Sequence, residues 1–356
     1  MAKGAYIGVN NVAHKIKKGY IGVDGIARKI KKAYIGIGGV ARPCFSSDVL
    51  MFYGAVATRS ENRQDTTANS IGNFAIFAGG GVSYTKERAT VEAYNSSLVS
   101  QAIDPLNEAR RNMATAVTGD CVVFVGGHCY PTNPKATVDA YNSSLVKISI
   151  DNIPDERAYP CGASVGGRGL IFGGNRYNSS GGDVVYGSGY VYDGTTRTTL
   201  TMPYSSTDAI GASNGTLAFF GGSWDDSSGS SKKLCAYDKS LTNTVLDNLS
   251  GGISGKNNAN AASVGEYVIF PSGDAYNNSL TKFKVSLYGR YCATNFKNWA
   301  LFLNFSLISE SIYVFDRYLI LSIEEGEIGT SPDSATSIGN YALFNTSNTV
   351  YAYTTA

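Results

Sequence analysis

The sequence predicts an all-β fold assembled from many small sheets, and three observations predict it. Glycine counts 41 and tyrosine 24 among 356 residues, while only 16% are charged. With abundant Ser, Thr and Asn, this composition suits short strands joined by tight turns. A short apolar stretch recurs seven times after position 44. A separate fourteen-residue unit repeats in the first 43 residues.

That first segment reads AYIGVNNVAHKIKK (5–18), GYIGVDGIARKIKK (19–32) and AYIGIGGVARP (33–43). At the centre of each unit stands Asn10-Asn11, Asp24-Gly25 or Gly38-Gly39, pairs that tolerate the positive φ of a two-residue hairpin turn. The flanks are β-branched or aromatic. Three consecutive hairpins follow, a small β-hairpin meander over 1–44. Tyr6, Tyr20 and Tyr34, with Lys15 and Lys29, are the candidate assembly residues. Some forty residues of hairpin bury too little apolar surface to stand alone, so this ribbon should pack on a partner or a copy of itself. Its KIKK lysines sit in turns without grouped aromatics, which argues against nucleic acid.

The seven apolar stretches are NFAIF (73–77), DCVVF (120–124), GLIF (169–172), TLAFF (216–220), EYVIF (266–270), NWALF (298–302) and NYALF (340–344). Each is too short for a buried helix and reads as a buried strand. A glycine pair follows the first four: Gly79-Gly80, Gly126-Gly127, Gly173-Gly174 and Gly221-Gly222. A second apolar motif then ends in Tyr or Phe, as in VEAY (91–94), VDAY (138–141), LCAY (234–237) and VYAY (350–353). Several run on through NSSLV or KSLTN into a further strand. Each period therefore amounts to one four-stranded sheet.

The diglycine and spaced aromatics over 45–356 resemble the Kelch repeat, which implies a β-propeller. Seven blades are expected, with six as the alternative count, because PSG (271–273), LNF (303–305) and NTS (345–347) replace the later diglycines. The last period ends after its third strand, and VLMFYGAVA (49–57) precedes the first as an orphan. Pairing the two would close the ring and remove an exposed sheet edge. The ribbon's wording resembles short repeats at the start of Firmicutes phage and prophage tail proteins, departing from them at Asn11 and His14. That resemblance implies association with other virion parts.

Charge divides unevenly. Residues 1–43 carry nine Lys or Arg against one acid, Asp24, and the remainder carries 21 against 27. The two parts are thus suited to different surroundings. Six cysteines form no CxxC pair, and the histidines are His14 and His128 alone, so no metal site is expected. No cofactor is expected either. No apolar run is long enough for a membrane span, and MAKGAYIGV has neither the apolar core nor the cleavage site of a secretory signal. Free thiols suit synthesis in a reducing compartment.

In Kelch-type propellers the loop after the diglycine shares a face with the loop between blades. Here those loops are long in the first four periods and carry Tyr84, Lys86, Arg88, His128, Tyr130, Arg176, Tyr177, Tyr186, Trp224, Asp225 and Asp226. Aromatic rings beside polar groups suit a sugar or a protein epitope. One histidine cannot supply a Ser-His-Asp site for the whole domain. The expectation is a non-enzymatic virion protein, assembled in the host cytoplasm, whose ribbon docks to the particle and whose loops bind a bacterial surface receptor. The chain could form homo-oligomers. An intracellular Kelch interaction module and a surface-glycan hydrolase are the alternatives.

Overall fold

The computed structural model describes residues 6–9, 12–15, 19–23, 26–30, 32–37, 40–46, 50–83, 86–130, 133–176, 184–225, 229–251, 260–287, 292–305, 310–325 and 328–355. By contacts the chain forms two units, residues 1–53 with 353–356, and residues 54–352.

The first unit contains three antiparallel pairs: Tyr6–Val9 with Val12–Lys15, Gly19–Val23 with Ile26–Ile30, and Lys32–Ile37 with Val40–Ser46. The innermost partners are Val9 and Val12, Val23 and Ile26, and Ile37 and Val40, so two residues separate the strands each time. The turn residues 10–11, 24–25 and 38–39 lie outside the described residues. Tyr6 stands opposite Lys15 and Tyr20 opposite Lys29. In the third pair Tyr34 meets Pro43, and the register shifts between Ala33 and Tyr34. Proline lacks the N–H a regular ladder needs, and ladders commonly slip at such a point.

The second unit is a seven-bladed β-propeller. The innermost strands of blades 1 to 7 are Thr67–Ile71, Ala114–Thr118, Cys161–Val165, Ile210–Ser213, Ala262–Val264, Cys292–Phe296 and Ser334–Ile338. In blades 1 to 6 four strands follow in chain order from inside to outside. The seventh sheet runs Ser334–Ile338, Tyr341–Asn345, Thr349–Thr355 and then Leu50–Thr58. Its outer strand therefore comes from the beginning of the chain.

The turn from third to outer strand is built the same way in five blades. Asn95, Asn142, Asp238, Asn277 and Asp316 each accept two backbone N–H groups through Oδ1, at 2.8–3.0 Å. Three residues later a leucine (98, 145, 241, 280 or 319) takes a φ between +56° and +63°. The Asx side chain substitutes for a backbone acceptor and offsets that left-handed residue.

Packing lies between blades. Ile76, Ala78 and Ala93 of blade 1 meet Val122, Phe124 and Tyr141 of blade 2. Phe172 and Phe220 join blades 3 and 4 edge to face, ring centroids 4.6 Å apart. Burying such a ring stabilises by roughly 1.5–3 kcal/mol. Register corrects one detail of the repeat. Phe77 stands opposite Glu92 and Phe124 opposite Asp139, but in blade 3 Ile171 holds this place, opposite Tyr190. Phe172 lies one residue further and faces blade 4. Third-strand tyrosines also tie neighbours together. Tyr141, Tyr237 and Tyr276 donate to the carbonyls of Asp104, Thr201 and Asp247 of the preceding blade's exit.

The diglycines turn the chain out of the sheet. Gly79, Gly126 and Gly173 have φ near +65°, and Gly80, Gly127 and Gly174 near +91°. A Cβ on Gly79 would lie 2.3 Å from the Arg110 carbonyl, so only glycine fits. The second glycine donates its N–H to the next blade, Gly80 to Arg110 O at 3.0 Å, Gly127 to Arg157 O at 2.8 Å and Gly174 to Ser206 O at 2.8 Å. Blade 4 departs from this pattern. Gly221 stays in the ladder, only Gly222 turns, and the hairpin runs on to Asp225.

Candidate binding face and central channel

The loops after the second strands and the loops between blades do meet on one side. Isolated bridges join Gln64 to Gly81, Arg111 to His128 and Ala158 to Asn175. Above them the second loops add small hairpins. His128 pairs with Pro134, Arg176 with Val184, and Trp224 with Ser230, while Gly81 bridges Glu87 in blade 1. Four consecutive blades thus raise the same rim.

Charge fixes the rim between blades 1 and 2. Arg111 reaches Glu87 at 2.7 Å and Asp65 at 3.2 Å, and Glu87 also accepts the Tyr130 N–H at 3.0 Å. Burial alone would lower the Arg111 guanidinium, but hydrogen bonds and charge from Glu87 and Asp65 outweigh it and raise it. Arg88 is paired with Glu61 at 2.8 Å. Tyr130 is 52% exposed. Arg176 is exposed on its hairpin. His128 is buried, its ring 4.7 Å from that of Tyr159 and its Nε2 3.4 Å from the Tyr159 hydroxyl. Tyr186 is half-buried, with the Arg157 guanidinium 4.2 Å over its ring. Trp224 and Asp225 lie in the strand Leu217–Asp225. Tyr84, Tyr177 and Asp226 lie outside the described residues. His128 and Tyr186 therefore brace the rim, while Tyr130 and Arg176 are offered to solvent.

Sequence reasoning missed the centre of this face. The seven inner strands enclose a channel of about 440 Å³. At the mouth Asn112, Tyr159 and Asp208 have φ of +53°, +51° and +55°, the same periodic place as Asp65 at +56°. Asp333 also lines the mouth. Burial first, and then the Asp65 carboxylate, push its carboxyl up to about 7.

Deeper in, the residue two places before the turn glycine that ends each inner strand (Lys297 in blade 6) is Ser70, Val117, Ser164, Ser213, Ser263, Asn295 or Ser337. Two residues earlier stand Ala68, Thr115, Gly162, Gly211, Ala261, Ala293 and Ala335, and both sets line the channel. Six of the first seven are Ser or Asn, while most of the second set are Gly or Ala, which leaves room beside a polar ring. The signal was visible in NSIG, ASVG, GASNG, AASVG and TSIG.

A further set was missed because it is structural. Arg63, Arg110 and Arg157 are fully buried. Their acidic neighbours are Glu92 at 2.7 Å, Asp139 at 2.7 Å and Asp155 at 3.0 Å. Burial pulls Arg63 down to about 10, which leaves it cationic at neutral pH. These guanidiniums hold up the floor of the rim. Cys121, Cys161, Cys235 and Cys292 are buried free thiols, all raised by burial. Among the described residues no cluster of His, Cys, Asp and Glu could hold a metal ion, and no helix is long and apolar enough to cross a membrane.

No family model matches the chain, and no curated protein matches it in sequence. Among solved structures it is similar to "Structure of YjhT", with a TM-score of 0.54 and 12% identity over 83% of this chain and 94% of that one. At that identity the likeness concerns the fold alone.

Proposed function

We propose that the protein is a phage or phage-tail-like structural component, with residues 1–43 docking to the particle and the hairpin face of the propeller binding a receptor on the bacterial surface. The observation that carries the binding part is the rim itself. Blades 1 to 4 add hairpins at one topological place, and ion pairs or ring contacts brace those of blades 1 to 3. A pre-organised rim with exposed Tyr130 and Arg176 loses little entropy on association. The docking part is supported by the phage-like wording of the basic ribbon and by its charge contrast with the rest of the chain.

The test is incorporation and adsorption. Particles assembled with a chain lacking residues 1–43 should lack the propeller, and the purified full-length protein should bind intact host cells. A propeller that still enters particles without the ribbon overturns the docking part. A protein that ignores intact cells but captures a partner inside them favours the intracellular interaction reading.

A further inference from the structure

We propose that the central channel is a binding site for an uncharged sugar of one or two rings, which would make a neutral glycan the receptor chemistry of the face described above. This rests on the receptor-binding reading and names its ligand class.

Size comes first. A volume of about 440 Å³ falls in the roughly 300–1,000 Å³ range of small-molecule sites. The seven-fold pattern then sets the chemistry. Ser70, Ser164, Ser213, Ser263, Ser337 and Asn295 place hydroxyls and an amide at one level. Such groups both donate and accept, as sugar hydroxyls do. Val117 alone breaks the ring, and its N–H is taken by Ser164 Oγ at 2.8 Å. Ala68, Ala293 and Ala335 keep the adjoining level open.

Charge then selects. Among the described residues no Lys, Arg or His lines the channel, and the carboxylic acids that line it are Asp208 and Asp333 at the mouth. An anionic sugar would pass these acidic groups and meet no cation among the described lining residues, which disfavours it. A neutral sugar meets neither obstacle. Tyr159, braced by His128, adds an aromatic side chain to the lining at the mouth.

The experiment is titration calorimetry on the full chain with N-acetylglucosamine, chitobiose, cellobiose and maltose, against glucuronic and N-acetylneuraminic acids as anionic counterparts. At least one neutral sugar should bind, and the acids should bind at least tenfold more weakly. Ser337→Leu and Asn295→Leu each put a larger apolar group into the channel. Both should weaken the neutral sugar at least tenfold while leaving circular dichroism and Tm unchanged. Val245→Ala, exposed on the outer strand Asn243–Leu246 of blade 4, should leave it unaltered. Binding unaffected by both leucine variants, preference for the acids, or no binding by any neutral sugar would overturn the proposal. Cell adsorption that persists in S337L and N295L would overturn the channel while leaving the receptor reading intact.

Discussion

Arg157 Nη1 donates to the Gly173 carbonyl at 2.8 Å, sixteen residues along the chain. The same span joins Arg110 Nε to Gly126 at 2.9 Å, and Arg63 to Gly79. In each case a buried cation donates to the carbonyl of the first glycine of the diglycine turn. Blade 4 shows the arrangement removed as a unit. Ser206, whose carbonyl takes the N–H of Gly174 as Arg110 and Arg157 do for the blades before, stands where arginine is due. Cys235, opposite Phe220, stands where Glu92 and Asp139 are.

Removing one partner alone should therefore be costly. Arg110 and Asp139 are both fully buried at 2.7 Å, so Arg110→Ala leaves the buried Asp139 carboxylate to the half-buried Lys147 and the Asn107 N–H, and takes a charged donor from the Gly126 and Phe124 carbonyls. We expect a loss of about 3–5 kcal/mol. The double variant Arg110→Met with Asp139→Val, which follows the example of blade 4, should recover at least half of it. Urea denaturation of the single and double variants checks both statements.

Two carboxyls give opposite pH dependences. For Asp333 the folded pKa, about 7, lies above the ordinary 3.8 because burial and then Asp65 disfavour its charge. Its folded state holds the proton more tightly, so its contribution to stability falls as pH rises from about 4 to 7. Asp333→Asn should stabilise by about 2 kcal/mol at pH 8 and by little at pH 4. For Asp274, burial works to raise the pKa, but hydrogen bonds from Lys284, Ser250 and Ser272 prevail and lower it to about 2. Its contribution is complete above about pH 4 and is lost as pH falls toward 2. Tm against pH for the protein and D333N tests the first sign, and Asp274→Asn below and above pH 4 tests the second.

What the sequence disclosed was what repeats in kind. Strands of one composition, glycine pairs and a closing aromatic recur visibly, so the sheets and their number were legible. Ile171 was misread because Phe172 carries the more conspicuous side chain, yet register depends on distance from Gly173, not on ring size. The buried arginines escaped because Arg63, Arg110 and Arg157 lie in polar stretches that read as loops, and burial of a cation becomes visible only with its acid and carbonyls in place. The channel escaped for another reason. Its serines and alanines are unremarkable singly, and only the closed ring brings seven such positions to one axis.

Closure itself can be measured. Leu50–Thr58 is the outer strand of the seventh sheet, and nearby Asn345 Nδ2 donates to Thr66 Oγ1 at 2.8 Å and Ser334 Oγ at 3.3 Å, joining blades 7 and 1. A chain beginning at Ser47 should elute as a folded propeller. A chain beginning at Arg59 should aggregate, because the ladder edge of Thr349–Thr355 is then unpaired. Asn345→Ala, which removes the amide donor shared by Thr66 and Ser334 and leaves their buried hydroxyls to each other, should cost about 1–3 kcal/mol. Size-exclusion chromatography and thermal unfolding separate these outcomes.

The rim makes a different kind of demand, since its exposed residues should matter for binding and not for folding. Tyr130 is 52% exposed, and its backbone N–H donates to Glu87. Tyr130→Ala should leave Tm within about 1 °C, as surface changes usually do. If the rim contacts the receptor, losing a tyrosine anchor costs about 2 kcal/mol, near thirtyfold in cell adsorption. Glu87→Gln should act by another route, because Glu87 holds both Arg111 and the Tyr130 N–H. It should loosen the rim and weaken adsorption while also lowering stability. Equal adsorption by Y130A and the unaltered protein would remove this rim from the receptor contact, and measuring both variants on the same cells distinguishes a lost anchor from a lost support.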